Sequence, residues 1–242
     1  MIKTIYIILL SYFVLGAIFF HLIGRKKKDG KARRQHWIKF LTYFIIIHTL
    51  FFSIIWHALA FRTIVFSIII VGLAELIGAC RKSGCTVRGL LLPSLLVYAI
   101  FASGFWHYGK LDKGIVLYGF LILSLFDAFS QISGQLLGRT PLFPKVSPNK
   151  TVEGLAGGAI VAIGSAGLLT GLTAYSVAQD FLLALGVVVF AFTGDFLTSF
   201  YKRRCGIKDF SRLLPGHGGF LDRFDSLVGG GAFLALAAAI IG

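Results

Sequence analysis

The segment RLLPGHGGFLDRFDS, residues 212–226, combines acids, bases and glycines in a chain that is otherwise mostly apolar. Asp222 and Asp225 stand three residues apart, so a helix would present both carboxylates on one face. Carboxylate oxygens suit Mg²⁺, and the glycines around His217 free the backbone amides to lie against phosphate oxygens. The pattern therefore predicts a metal–phosphate site, although acids at a helix start also stabilise the helix dipole without any ligand.

Two more aspartates occur inside apolar segments, where a charged side chain is costly and is a functional candidate. Asp195 lies about a turn and a half before a basic loop, and Asp127 about two turns before the end of its segment. Both are expected at one depth, just below the membrane surface, unless a neighbouring lysine or the interface neutralises them. Glu75 is left open between a functional role and pairing with Arg81 or Lys82 on its own helix.

Basic and hydroxyl side chains accompany these acids in two loops. In the loop 134–153, Pro148 is expected to end any extended segment, and Asn149 to cap the following helix, with Glu153 in its first turn. Taken alone, this loop is more typical of a proline-punctuated connector than of a site. Its phosphate-contact candidates are Lys145, Ser147, Lys150 and Thr151, and the cations of the later loop are Lys202, Arg203, Arg204, Lys208, Arg212 and Arg223.

The composition is that of an integral membrane protein. Hydrophobic residues make up 57% of the 242 residues and charged residues only 14%, against about a quarter in soluble domains. The formal charge of +14 does not predict nucleic-acid binding, because the lysines and arginines bunch between apolar segments. Three cysteines without a C-x-x-C pair argue against a zinc site and against a disulfide framework.

Apolar runs of about 17 to 25 residues predict an all-α bundle of about eight transmembrane helices. The first run is expected to be an anchoring span and not a cleaved signal peptide, because no small-residue cleavage site follows it. The predicted spans are roughly 4–23, 37–58, 63–80, 89–106, 114–133, 154–175, 181–200 and 227–242.

The distribution of charge orients this bundle. With the N-terminus outside, the loops 24–36, 81–88, 134–153 and 201–226 are cytoplasmic and hold most of the 24 lysines and arginines. This asymmetry follows the positive-inside rule and predicts a multi-pass protein of the inner (cytoplasmic) membrane whose site faces the cytoplasm. The cations on the other side are Lys3, Arg62, Lys110 and Lys113.

The chain is predicted to be a single polytopic membrane domain, 1–242, with N-terminal spans in 1–113 and catalytic spans and loops in 114–242. Glycine pairs at 154/158 and 167/171 in the sixth span, and the run Gly229–Gly231 in the eighth, predict close helix approach. Such packing serves the bundle itself or a site within it.

The stretch SFYKRRCGIKDFSRLLPGHGGFLDRFDS, residues 199–226, resembles the signature of the phosphatidate cytidylyltransferases, the CDP-diacylglycerol synthases. The upstream PKVSPNKTVEG resembles another block of that family, and Asp195 matches a family acid. The resemblance covers about residues 127–242. Where members commonly have Asp-Thr-Gly-Ala-Tyr, this chain has DAFSQ from Asp127, so the acid is kept but the small residues and the tyrosine are not.

The resemblance implies that CMP is transferred from CTP to phosphatidic acid, giving CDP-diacylglycerol and pyrophosphate. It implies Mg²⁺ held by Asp195 and Asp222 with support from Asp225, and allows a second, monovalent cation such as K⁺. The implied partners are CTP, phosphatidic acid and the surrounding membrane lipids, with no nucleic acid, and family members suggest a homodimer. The groups implied to neutralise or position phosphate are Lys202, Arg203, Lys208, Arg223 and His217, and those implied on the nucleotide side are Asp127, Lys145, Ser147, Lys150, Thr151, Gly218 and Gly219.

Other functions compete with this interpretation. A variant cytidylyltransferase could use a different lipid acceptor, and a CTP-dependent polyprenol kinase would release CDP, although the full HGG-x-x-DR-x-D pattern argues against the kinase. An ion or metal transporter would distribute acids through the membrane depth, whereas here they cluster at one end. A structural scaffold would have no use for so many costly charges.

Overall fold

The computed structural model describes residues 2–26, 30–82, 88–214 and 218–241. These residues form eight helices and one two-stranded antiparallel sheet. The helices are α1 (Ile2–Lys26), α2 (Gly30–Trp56), α3 (Ala58–Lys82), α4 (Arg88–Tyr108), α5 (Lys113–Leu137), α6 (Val152–Leu169), α7 (Val177–Arg204) and α8 (Leu221–Ile241), and the strands β1 (Pro141–Phe143) and β2 (Ser147–Thr151) lie between α5 and α6.

Six of the described helices, α3 to α8, are long and apolar enough to cross a membrane. In α1 and α2 the described apolar stretches are shorter, Ile2–Ser11 and Phe40–Trp56. The prediction of a multi-pass helical membrane protein is therefore confirmed. The count of eight spans stays a prediction.

Helix α8 begins at Leu221, a few residues before the predicted apolar run 227–242, and it carries both aspartates at its start, as the sequence suggested. Two carboxylates accept the backbone N–H groups that a helix start leaves without partners. Glu75 accepts from Phe220 and Leu221, and Asp222 accepts from Gly219. The helix therefore starts at the polar loop, and Asp222 lies in its first turn.

The predicted end of the sixth span, near residue 175, is wrong. Helix α6 ends at Leu169, and Gly171 has a φ of +88°, a backbone conformation that glycine adopts without steric cost. A Cβ at Gly171 would meet nothing within 4 Å. The 167/171 pair is therefore not a helix-packing motif.

The connection between α5 and α6 forms a β-hairpin, where the sequence suggested an irregular connector. The Val146 N–H donates to Phe143 O at 3.1 Å and closes the turn, with Pro144 directly after Phe143, where its fixed φ suits a turn. Pro148 lies inside β2, which is possible because both strands of a two-stranded sheet are edge strands. The expectation that Pro148 ends an extended segment is wrong.

The start of α6 is capped by Thr151 and not by Asn149. The Thr151 side chain accepts the Gly154 N–H at 3.1 Å. Glu153 lies in the first turn, as predicted, and accepts the backbone N–H groups of Arg139 at 3.1 Å and Thr140 at 3.2 Å. These bonds join the start of α6 to the end of the preceding helix.

Glycines bring the helices of the second half into backbone contact. A Cβ on Gly194 of α7 would lie 2.6 Å from Asp225 O on α8, and one on Gly229 would collide with Phe190 O on α7. A Cβ on Gly158 of α6 would lie 2.7 Å from Phe126 O on α5. The predicted close approach is confirmed for the 154/158 pair and for Gly229, and it sets the spacing of the helices that carry the acids.

Candidate active site

Three aspartates from three helices share one region of the bundle. Asp127 on α5, Asp195 on α7 and Asp225 on α8 interact electrostatically with one another. Asp127 is exposed, the Asp195 side chain is 27% exposed and Asp225 is buried. Because neighbouring carboxylates repel one another, this arrangement favours a bound cation.

Hydroxyl groups orient two of these carboxylates. Thr198 Oγ1 donates to Asp225 Oδ2 at 2.6 Å, and Ser199 Oγ lies 3.3 Å from Asp195 Oδ1. The Ser226 N–H donates to Asp225 Oδ1 at 2.8 Å. Sequence reasoning did not single out Thr198, although its position three residues after Asp195 places it on the same helix face.

The hairpin supplies a cation to this region. Lys150 Nζ on β2 pairs with Asp195 Oδ2. The hairpin is held against α7 by Phe143, whose ring centroid lies 4.6 Å from that of Phe196, and by Arg203, whose Nε donates to a hairpin carbonyl at 3.0 Å. Lys150, which the sequence predicted to reach a phosphate, therefore contacts an acid directly.

Asp222 has a different environment from Asp225, although both lie at the start of α8. Asp222 Oδ1 accepts from Lys202 Nζ at 2.6 Å, and Oδ2 accepts the N–H groups of Phe210 at 2.9 Å and Gly219 at 2.7 Å. Its side chain is only 3% exposed. Asp222 organises the loop before α8, and it could bind a metal through Oδ1 only after Lys202 had moved away.

Glu75 ties the N-terminal half of the chain to this loop. It is buried on α3, and Oε1 accepts from Ser211 Oγ at 2.5 Å and from the Phe220 N–H at 2.9 Å, while Oε2 accepts the Leu221 N–H at 2.7 Å. The alternative of pairing with Arg81 or Lys82 is not what the described residues show, since the partners of Glu75 are a hydroxyl and two backbone amides.

The glycines of the signature are used for conformation and for close contact. Gly218 has a φ of +83°, and a Cβ on Gly219 would lie 2.6 Å from Glu75 Oε1. Both glycines therefore allow the loop to lie against the carboxylates of Glu75 and Asp222. His217, with residues 215 and 216, lies outside the described residues, so its predicted role remains a prediction.

The remaining predicted residues are spread around the acids. Arg223 is exposed and lies within electrostatic range of Asp127. Tyr43 of α2 lies within electrostatic range of both Arg223 and Asp127. Sequence reasoning missed this residue because no local motif marks it. Ser147 is half-buried on β2, and two of the predicted phosphate contacts, Lys145 and Lys208, are exposed.

The donor set fits a hard divalent cation in its chemistry. Among the described residues, no three Asp, Glu, His or Cys side chains are grouped as a ready metal site. Yet Asp195 and Asp225 offer carboxylate oxygens of the kind that Mg²⁺ prefers, and the ammonium group of Lys150 already pairs with Asp195. Asp195 is thus already paired with a cationic group, and with Asp225 it would supply the oxygen ligands of a divalent ion.

Comparison with known proteins agrees with the geometry. A model described as "Cytidylyltransferase family" matches residues 1–241. The chain is 50% identical over 103 residues to a phosphatidate cytidylyltransferase of Aquifex aeolicus, and this stretch covers 42% of this chain and 38% of that protein. It is 38% identical over 139 residues to one of Staphylococcus saprophyticus, covering 55% of this chain and 54% of that protein.

A third relative is matched along most of its length. The phosphatidate cytidylyltransferase of Rickettsia typhi is 28% identical over 219 residues, which cover 86% of this chain and 94% of that protein. The matches to the Aquifex and Staphylococcus proteins reach only about half of those chains or less. Because the family model matches residues 1–241, nearly the whole chain, the chain belongs to the cytidylyltransferase family.

Proposed function

We propose that the protein transfers CMP from CTP to phosphatidic acid at the membrane surface, giving CDP-diacylglycerol and pyrophosphate. The observation that carries this proposal is that Asp127, Asp195 and Asp225, from three helices, lie within electrostatic range of one another, and that Lys150 pairs with one of them. Family membership and the names of the relatives support the same reaction. Acids and cations side by side suit a metal-bound triphosphate better than an apolar ligand.

Mg²⁺ is the proposed cofactor, with Asp195 and Asp225 as its protein ligands. Asp127 would add negative charge to the region, and Asp222 would join the ligands only after releasing Lys202. When bound between Asp195 and Asp225, such an ion would supply positive charge for the phosphate oxygens of CTP. A second, monovalent cation is compatible with three acidic groups in one region.

The basic residues are proposed to act on the charges of the two substrates. Lys150 would exchange its contact with Asp195 for one with the triphosphate once the carboxylate has bound a metal. Arg203 and Lys208 are exposed and would meet phosphate groups from the solvent side. Arg223, close to Asp127, would neutralise the nucleotide.

The chemistry needs no nucleophile from the protein. An oxygen of the lipid phosphate attacks the α-phosphorus of CTP. The bond from that phosphorus to the oxygen that bridges the α- and β-phosphates breaks. The electron pair leaves with pyrophosphate. Because a phosphate monoester is already an anion at neutral pH, the side chains have only to hold the reactants in line and stabilise charge.

The proposal places the site at the cytoplasmic face of the inner membrane, in a bundle of eight spans. The basic loops 134–153 and 201–226, which flank the helices with the acids, support this orientation. CTP is available on the cytoplasmic side. A homodimer is part of the proposal by family resemblance alone.

The test uses purified protein in mixed micelles with phosphatidic acid, Mg²⁺ and CTP labelled at the α-phosphorus. Cytidylyl transfer predicts label in the lipid phase together with an equimolar amount of pyrophosphate. CDP released in the presence of an isoprenoid alcohol, without label in lipid, would identify a kinase instead. Label transferred only to another phospholipid acceptor would indicate the variant cytidylyltransferase, and the altered residues after Asp127 would then be examined first.

A further inference from the structure

A groove runs between α3 and the loop 207–213, and among its lining residues the proposed mechanism uses only Lys208, as a phosphate contact. Two adjoining cavities of about 320 and 530 Å³ share Lys82, Phe210 and Ser211 as lining residues. We name this feature the α3 groove. One cavity is walled by Ile70, Val71, Ala74 and Leu213, and the other by Lys82, Lys208 and Arg212.

The apolar part of the α3 groove lies on a helix that is long and apolar enough to span the membrane. Ile70 is 48% exposed and Leu213 is 60% exposed. Both side chains line the same cavity, and together they leave apolar surface that an acyl chain could cover. The groove is thus apolar where the bilayer would meet it.

The other part of the groove is cationic. Lys82 lies in the last turn of α3, and it is exposed, as are Lys208 and Arg212. Within the described part of the chain, none of the three makes an ion pair. These unpaired cations, at the end of a membrane span, are placed where lipid headgroups lie.

Two acids also line the groove, one in each cavity, against three bases. Glu75 has both oxygens bound by donors from Ser211 and the start of α8. Asp209 is exposed and lines the cationic cavity with the three bases. The cations therefore outnumber the acids, and the groove is complementary to a ligand with an apolar tail and a phosphate head.

We propose that the α3 groove is the binding site of the acceptor lipid, phosphatidic acid. Its acyl chain lies along the apolar wall of α3, and its phosphate binds Lys82, Lys208 and Arg212. This inference rests on the proposed function, since it names the place where one of the two substrates binds.

The floor of the groove connects it to the acids. The Phe210 N–H donates to Asp222, and the ammonium group of Lys202 lies 5.4 Å from the centre of the Phe210 ring. The headgroup would therefore rest on the same loop that holds the Lys202–Asp222 pair.

The first experiment measures binding without turnover. Phosphatidic acid with a photoactivatable group in its acyl chain is added to the protein in micelles without CTP, and the labelled peptides are identified by mass spectrometry. The proposal predicts label in the peptides holding Ile70–Ala74 and Leu213, competed by unlabelled phosphatidic acid. Equal competition by inorganic phosphate or pyrophosphate would assign the cationic part to a free phosphate and overturn the proposal.

The second experiment compares matched variants in the transfer assay. Lys82→Ala is expected to raise the KM for phosphatidic acid about tenfold, as loss of a charged hydrogen bond does, and to leave the KM for CTP unchanged. Leu213→Asp should raise the same KM by disrupting the apolar wall. The controls are Arg139→Ala and Leu137→Asp, which alter an exposed cation and an exposed leucine outside the groove.

The outcomes separate the two proposals. If the unaltered protein makes no CDP-diacylglycerol, the proposed function fails, whereas labelling still tests the groove. If it does make CDP-diacylglycerol but the groove variants behave like their controls, the groove proposal fails alone. Photocrosslinks between two copies through the groove peptides would show that a second chain covers the groove, which also overturns it.

Discussion

At the scale of single residues, the two aspartates at the start of α8 show how little spacing says about role. Their separation predicts a shared helix face, but Asp222 is saturated by Lys202 and two backbone amides, whereas Asp225 accepts one hydroxyl and one amide. Apart from the Ser226 amide of α8 itself, the partners come from α7 and from the loop before α8. A pattern within one helix cannot predict them.

This difference predicts that Asp222→Asn and Asp225→Asn fail in different ways. Asp222→Asn leaves the buried ammonium of Lys202 without its carboxylate and is expected to lower the free energy of unfolding by about 3 kcal/mol. Asp225→Asn removes a proposed metal ligand and should lower kcat and raise the Mg²⁺ concentration needed for half-maximal rate. Thermal unfolding in detergent and Mg²⁺ titrations of activity measure the two effects.

Asp195→Asn is the matched comparison, since that side chain is more exposed. It should resemble Asp225→Asn, with a lowered rate and little loss of stability. Full activity of Asp195→Asn at limiting Mg²⁺ would rule out the proposed metal site. Unchanged stability of Asp222→Asn would contradict its structural role.

At the scale of helices and strands, the site depends on glycines that let the backbones of neighbouring helices touch. Gly194 and Gly229 let α7 and α8 touch, so that Asp195 and Asp225 become neighbours. Glu75 adds a polar connection from α3 to the start of α8. The acids are positioned by helix packing on one side and by hydrogen bonds on the other.

The packing predicts opposite outcomes for two glycine substitutions. A Cβ on Gly194 would lie 2.6 Å from Asp225 O, whereas one on Gly164, inside α6, would meet nothing within 4 Å. Gly194→Ala should separate α7 from α8, with loss of stability and of transfer activity. Gly164→Ala should be neutral or stabilise the protein by about 0.5–1 kcal/mol through helix propensity. Both are measured by thermal unfolding and by CMP transfer, and equal behaviour of the two variants would contradict the close contact.

The connection from α3 predicts that Glu75→Ala is strongly destabilising. The substitution leaves the Phe220 and Leu221 N–H groups without their acceptor in a largely buried site, at about 1–3 kcal/mol for each unsatisfied group. Ser211→Ala removes only one of the donors to Glu75 and should cost less. Hydrogen exchange of the amides at the start of α8 checks this directly, because protection there should fall in Glu75→Ala. Retained protection would show that α8 starts without this cap.

At the scale of the whole molecule, the sequence predicts the parts that depend on local composition. Long apolar runs identify α3 to α8 as spans, and the Gly158 contact follows from a spacing rule. The hairpin was missed because its two strands are short and its prolines suggested a connector. The contacts that cap α8 and surround Asp222 were missed, because they come from Glu75 and Phe210, outside the helix itself.

The orientation of the bundle gives the last prediction, which follows from the positions of Arg139 and Lys110 at opposite ends of α5. This helix has 25 residues, about 37 Å at 1.5 Å per residue, enough to cross the hydrocarbon core of about 30 Å. Single cysteines replacing Lys110 or Arg139, in a background without Cys80, Cys85 and Cys205, should therefore react on opposite sides of the membrane.

The positive-inside rule sets which side is which. Lys110→Cys should react with an impermeant thiol reagent added to intact cells, and Arg139→Cys only after the membrane is permeabilised. The reverse pattern would move the three acids and the signature residues 199–226 to the outer face, away from CTP. The proposed reaction would then have no nucleotide supply. Labelling of both cysteines from outside would mean that α5 does not cross the membrane. Labelling as predicted would put the hairpin, and with it Lys150 and Asp195, on the side where CTP is made.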